Sequence, residues 1–109
     1  MSRLIIFLTA LVLLGACAKR PDAIVPVNIP MASYSNMGCS KLTAELVDEQ
    51  ESLAALSKSQ NRAATNDAFG VFLVGVPAGS LTGGDKEGQI AVSKGKVQAI
   101  EGAMRQRGC

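Results

Sequence analysis

The feature that most constrains this chain of 109 residues is the apolar run from Leu4 to Ala18. It follows Met1-Ser2-Arg3 and closes at Lys19-Arg20. A basic start, a moderately long apolar segment and small residues before a cleavage point are typical of a secretory signal peptide. A transmembrane helix is the alternative, but it needs about 20 apolar residues, more than this run supplies. We predict that residues 1–16 are removed, and that the rest of the chain forms one small domain.

The run ends in Leu14-Gly15-Ala16-Cys17, which resembles the lipobox of bacterial lipoproteins. The resemblance implies that the thiol of Cys17 receives a diacylglyceryl group and that the signal peptide is cut before this residue. It also implies a place in the bacterial cell envelope, anchored through Cys17 and facing the periplasm. Because no aspartate follows Cys17, the outer membrane is favoured over the inner membrane. An ordinary cleaved signal, with Cys17 incidental, is the alternative.

Lipid on Cys17 would leave Cys39 and Cys109 as a pair in an oxidising compartment, where disulfides persist. The alternatives are two free thiols or a metal site. The chain has no histidine, so a zinc site would need carboxylates to complete it. We predict a disulfide between Cys39 and Cys109, no metal and no cofactor.

Residues 17–36 are predicted to be the lipidated N-terminus and an extended tether. Pro21, Pro26 and Pro30 recur through it, and each biases the residue before it toward extended backbone. The tether is either a spacer that lifts the domain off the bilayer or a segment that packs on the domain. Its apolar side chains are Ile24, Val25, Val27 and Ile29.

The remaining residues, 37–109, predict an all-α fold, an antiparallel two-helix hairpin. Apolar residues at helical spacing place one helix over 37–68 and the other over 85–107. The first stripe includes Leu42, Leu46, Leu53, Leu56 and Ala63, and the second includes Ile90, Val97, Ile100 and Met104. A bond between Cys39 and Cys109 would set the register so that Ala63 meets the turn at Asp85. Gly108 is the predicted C-cap.

Two further patterns lie on these helices. Ala91, Gly95, Ala99 and Ala103 recur every four residues and predict a ridge along which the helices approach closely. Gln60 and Asp67 stand where a continuous first stripe would have apolar residues. They are either partly exposed or hydrogen-bonded seam residues, or residues that fix a partner's register.

An apolar, glycine-rich tip is predicted over residues 69–84. The run 68–81 has no charge, and Pro77 would break a helix there. Its β-branched valines make a short strand the competing local structure. The tip either folds back over the hairpin or is exposed as a contact for a membrane or a partner. The candidate contact residues are Phe69, Val71, Phe72, Leu73 and Val74.

Composition excludes several kinds of chemistry. Without histidine, a Ser-His-Asp or Cys-His site is impossible. The segment from Gly79 to Lys86 approaches a phosphate-binding loop, but Asp85 and Lys86 stand where that motif needs lysine followed by serine or threonine. The carboxylates of Asp85 and Glu87 would also oppose a bound phosphate. The near balance of acidic and basic residues argues against a nucleic-acid partner. We predict no catalytic residue, no enzymatic activity and no small-molecule substrate.

A further resemblance rests on the segment Cys39-Ser40-Lys41-Leu42-Thr43-Ala44-Glu45-Leu46, the run from Gly70 to Gly79, Gly84-Asp85, Gly95-Lys96 and the terminal Gly108-Cys109. Together they resemble a group of small lipoproteins of Gram-negative bacteria, mainly alphaproteobacteria, over roughly residues 34–109. The first functional hypothesis is a non-enzymatic, lipid-anchored envelope protein whose tip contacts a membrane or a protein partner, or mediates self-association. The alternative is an accessory subunit packed against an integral membrane complex of transport or respiration.

Overall fold

The computed structural model describes residues 17–75, Gly79 and residues 84–109. Within these residues the chain forms two α-helices, α1 (Cys39–Val74) and α2 (Glu87–Arg107), and no strand. Two short 3₁₀ turns, Pro21–Ala23 and Met31–Tyr34, precede them. The helices pack against each other, so the predicted all-α hairpin is confirmed. The predicted signal peptide, 1–16, and tip residues 76–78 and 80–83 lie outside the described residues.

Helix α1 is longer than the sequence predicts. It continues through residues 69–74, which were predicted to be the start of the tip, and a strand does not form there. It ends at Gly75, whose φ of 78° is in the left-handed region that glycine adopts without strain. The amide of Gly75 donates to the carbonyl oxygens of Gly70 and Val71. Gly75 therefore ends the helix after Val74. The valines of this segment are helical despite their strand preference, because that preference depends strongly on context.

Helix α2 begins after the turn at Asp85, whose Oδ1 accepts the amide of Glu87 at 3.0 Å. At the other end Gly108, with φ of 72°, donates to Arg105, and Cys109 donates to Met104. The prediction of Gly108 as the C-cap is confirmed.

The predicted disulfide between Cys39 and Cys109 joins the start of α1 to the chain just after α2, with Cα atoms 5.7 Å apart. Leu42, Ile100 and Ala103 are buried beside it, with Tyr34 and Met104 packed around them. At the opposite end, Ala63 lies against Gly84, next to the Asp85 turn, as the predicted register requires. We refer to these two ends as the disulfide end and the turn end.

Residues 17–36 pack along the hairpin and are not a free spacer; we call them the strap. Ile24 is buried at 3% exposure, whereas its neighbour Val25 is 79% exposed. The amide of Val27 donates to the carbonyl of Ala91 in α2 at 2.9 Å. Of the two alternatives for this segment, packing on the domain is the one observed.

Gly95 shows that the small residues of α2 allow close approach of the strap as well as of α1. A Cβ atom on Gly95 would overlap the carbonyl oxygen of Val27 and would approach Ile29 to 3.2 Å. The sequence predicted that this ridge lets the two helices approach each other. Part of it instead lets the strap backbone reach α2, while Ala103 does pack toward Leu42 of α1.

Removing the disulfide should destabilise the hairpin strongly. The cysteines are 70 residues apart in sequence, and closing a loop of that length is worth about 4 kcal/mol on the chain-entropy model. We expect Cys39→Ala combined with Cys109→Ala to lose about that much unfolding free energy in a urea titration. Reductant should destabilise the wild type similarly and leave the double variant unchanged. A wild type indifferent to reductant would contradict the prediction.

Gly95→Ala should loosen the strap, because the new methyl group meets the backbone of Val27. We expect faster hydrogen exchange at the Val27 amide and a lower unfolding midpoint. Gly88→Ala is the matched control in the same helix, since a Cβ there meets nothing within 4 Å. The control should be neutral or slightly stabilising, because alanine favours helix over glycine. Equal effects of the two changes would mean that helix propensity, and not the strap contact, governs Gly95.

Candidate functional site

The strap runs antiparallel to α1, from the turn end at Cys17 to the disulfide end at Ser35. At the disulfide end, Arg107 donates to the carbonyl of Ser35 at 2.7 Å. Midway, the ammonium group of Lys94 donates to the carbonyl oxygens of Pro21 and Ile24. Because the strap is held at several points, the position of Cys17 follows from the position of the hairpin.

Gln60 joins three segments at the turn end. Its Nε2 donates to the carbonyl of Lys19 at 2.8 Å and to Oδ1 of Asp85 at 2.9 Å. Its Oε1 accepts the amide of Lys86 at 2.5 Å. The side chain is fully buried, and both donors of the amide group are used. Gln60 therefore connects α1 to the strap and to the turn before α2 with one side chain.

Asp67 holds the first residues of the strap. Its Oδ2 accepts the amide of Ala18 at 2.6 Å, and the carboxylate is fully buried. This amide belongs to the peptide bond between Cys17 and Ala18, so cleavage before Cys17 would leave the hydrogen bond intact. Ala18 is buried with Ala63 and Ala64 of α1. Residue 17 is thus held beside the last turns of α1.

Basic residues of the strap add contacts on the surface. Arg20 donates to the carbonyl of Asn61 and to the hydroxyl of Thr65, each at 3.1 Å. Lys19 lies 3.1 Å from Glu87 in an exposed ion pair, which adds little stability. These contacts fix the strap against both helices.

An exposed apolar surface lies at the same end of the molecule. Phe69, Phe72 and Leu73 are 62%, 85% and 71% exposed; we call them the apolar patch. They are three and four residues apart, so they share one side of α1. That side is turned about 140–240° around the helix axis from Asp67. The strap therefore covers one side of α1 and leaves the patch uncovered on the other.

The predicted contact residues fall partly in this patch. Phe69, Phe72 and Leu73 belong to it, and Val71 is 44% exposed. The side chain of Val74 lies outside the described set. The sequence left two alternatives for the tip, exposed or folded back, and both apply to parts of it. The end of α1 is exposed, whereas Gly79 is buried against the backbone of Ala63.

Charge is distributed unevenly along α1. Glu45, Asp48, Glu49 and Glu51 all lie in its first half. Lys58 and Arg62 lie closer to the apolar patch and are exposed. Glu49 accepts from the hydroxyl of Ser93 at 2.6 Å, which ties the acidic half to α2.

The described residues show little that would support chemistry. Burial, with added repulsion from Glu49 and Glu45, raises the pKa of Tyr34 above its usual value of 10.0. In the described ranges no cluster of cysteine and carboxylate side chains could hold a metal ion. No helix in the same ranges is long and apolar enough to cross a membrane.

Comparison with known proteins adds no relative. No family model, curated protein or solved structure matches the chain.

The sequence identified the apolar patch but not the contacts that hold Cys17 at the same end of α1. Gln60 and Asp67 were predicted to be seam residues or to fix a partner's register. They are hydrogen-bonded seam residues, fully buried, and the segment they position is the chain's own strap. Their polarity within an apolar stripe was the available signal, but their partners on the strap are backbone groups, which no sequence pattern marks.

Replacing Gln60 should cost more than replacing an exposed glutamine on the same helix. Gln60→Leu leaves the amide of Lys86 and the carbonyl of Lys19 without this partner. A buried polar group left unpaired costs about 1–3 kcal/mol. We expect a loss of that size in chemical unfolding, against almost none for the control Gln50→Leu on the exposed face. An equally stable Gln60→Leu variant would show that the amide network contributes nothing net.

Proposed function

We propose that this protein is a non-enzymatic, lipid-anchored protein of the bacterial envelope. Its disulfide-tied hairpin serves as an interaction module at the turn end. The sequence Leu14-Gly15-Ala16-Cys17 motivates the lipid anchor. The observation that carries the module is the hydrogen bond from Ala18 to Asp67, which holds residue 17 at the end of α1 where the apolar patch is exposed.

Several features support a binding role over catalysis. The patch consists of large apolar side chains exposed to solvent, and the neighbouring polar side chains are engaged in holding the strap. Exposed apolar surface rimmed by polar residues commonly marks a protein or membrane contact. Cys17 itself is not in the disulfide, so its thiol is free for modification.

Lipidation predicts a specific mass. Expressed in a Gram-negative host and extracted from membranes, the protein should lack residues 1–16 and carry two or three acyl chains on Cys17. Cys17→Ala should retain the leader and carry no lipid. Cys39→Ala is the matched cysteine control and should remain lipidated. A wild-type protein that lacks both the leader and acyl mass would overturn the lipid anchor.

Native-size analysis in mild detergent tests the module's partner. A monomer or small homo-oligomer agrees with a lipid-anchored module that acts without a fixed complex. Recovery in a stable large complex with an integral membrane protein would instead assign the chain as an accessory subunit.

A further inference from the structure

The outer side of α1 combines basic and apolar residues in a fixed order. Five side chains lie within about 100° of one another around the helix axis. All five are exposed: Lys58, Arg62, Phe69, Phe72 and Leu73. The two cations come first along the helix, and the apolar patch occupies its last two turns.

The distance between the cations and the apolar patch is similar to the distance between lipid headgroups and the upper part of the acyl chains. Phe69 is seven residues beyond Arg62, which is about 10 Å along the axis and nearly the same direction around it. Membrane-binding helices that lie flat bury apolar side chains about 5–10 Å into the boundary between headgroups and acyl chains and carry cations on the opposite face. Here the cations share a face with the patch, so only an end-on approach of α1 separates the two in depth. When α1 meets the bilayer end-on, Arg62 and Lys58 are thus at the depth of the headgroups and the patch is at the depth of the acyl chains.

The opposite end of the same face carries the opposite charge. Asp48 and Glu51 are exposed on the outer side of α1, toward the disulfide end. An anionic lipid surface would attract the half with Lys58 and Arg62 and repel the half with the acids. Along the outer side of α1 the charge pattern therefore favours contact through the second half of the helix, whereas Lys41, Arg105 and Arg107 place exposed cations at the disulfide end.

A lipid on Cys17 would bring the end of α1 that carries the apolar patch to a membrane. The amide of Ala18 is bonded to Asp67, and Phe72 is only five residues farther along α1, a rise of about 8 Å. Residue 17 is on the opposite side of α1 from the apolar patch but at the same end of the helix. Acyl chains on residue 17 would therefore enter the bilayer at the end of α1 that carries the patch, and the seated strap leaves no free spacer between the chains and the hairpin.

From these contacts we propose that Phe69, Phe72 and Leu73 insert into the same leaflet that holds the lipid on Cys17. The protein then has two membrane contacts, a covalent lipid and an apolar helix end. The disulfide end points away from the bilayer. This inference rests on the proposed lipid anchor, and its occupant is a lipid surface with anionic headgroups.

Tryptophan fluorescence can measure the insertion directly, since the chain contains no tryptophan. The lipidated protein carrying Phe72→Trp would be reconstituted into vesicles of phosphatidylethanolamine and phosphatidylglycerol, with and without brominated acyl chains. The matched control is Val47→Trp, at a half-exposed position in the half of α1 nearest the disulfide. We expect Trp emission from position 72 to shift to shorter wavelength and to lose most of its intensity to brominated lipid. Emission from position 47 should do neither.

A second change tests the neighbours of Phe72. Phe69→Ser with Leu73→Ser, added to Phe72→Trp, should reduce the quenching severalfold, because the inserted apolar surface is lost. Folding should be unaffected, because both side chains are exposed. Circular dichroism and the unfolding midpoint would verify this.

The outcomes separate the inference from the lipid anchor. Protein that floats with the vesicles and carries acyl mass, but whose position 72 is not quenched, overturns the insertion and leaves the anchor standing. A blue shift without quenching, dependent on protein concentration, overturns it in favour of self-association through the patch. Protein that neither floats nor carries acyl mass overturns the proposed anchor itself.

Discussion

The structure depends on the burial of Gln60 among α1, the strap and the turn before α2. A two-helix hairpin has only one interface, and here much of that interface is built from alanine and glycine. The strap adds a further layer, and Gln60 satisfies its backbone at the point where it crosses the helix pair. A leucine at this position would add apolar burial but would leave buried carbonyl and amide groups unpaired, which costs more than the net gain of an average hydrogen bond. A polar side chain is therefore needed at position 60, because the backbone of the strap requires a hydrogen-bond partner there.

The two ends of the hairpin are stabilised differently. At the disulfide end, Leu42 and Ile100 are buried beside a covalent bond that restricts the unfolded chain. At the turn end the buried side chains are small, such as Ala18 and Ala63, and hydrogen bonds provide the specificity. Because the apolar burial of small side chains is limited, the covalent bond compensates for what the core does not supply.

Periodicity and cysteine count were sufficient to predict the hairpin, its disulfide and its register. They were insufficient for the strap, because Val27 meets Ala91 through backbone atoms and Asp67 meets the backbone of Ala18. In the sequence, such backbone contacts are indicated only indirectly, by a glycine within a helix (Gly95) and a polar residue within an apolar stripe (Asp67). The end of α1 was predicted too early for a related reason. The uncharged run contains several glycines, and only the folded backbone distinguishes Gly75 as the one that closes the helix.

The direction of the strap determines which end of the hairpin a lipid on Cys17 would hold at the membrane. If it were a free spacer, lipid on Cys17 would hold the domain near a membrane without selecting which surface faces the lipid. The strap instead starts beside Asp67 and leads away toward the disulfide end before the chain enters α1. The chain then returns along α1 to the level of Cys17. The end of the helix and the residue that would bear the lipid are therefore at the same end of the molecule. Lipid on Cys17 would thereby hold the end of the hairpin that carries Phe72 near the membrane. A reversed strap, with the same helices and the same cysteine, would place Phe72 at the end of the hairpin farthest from the bilayer.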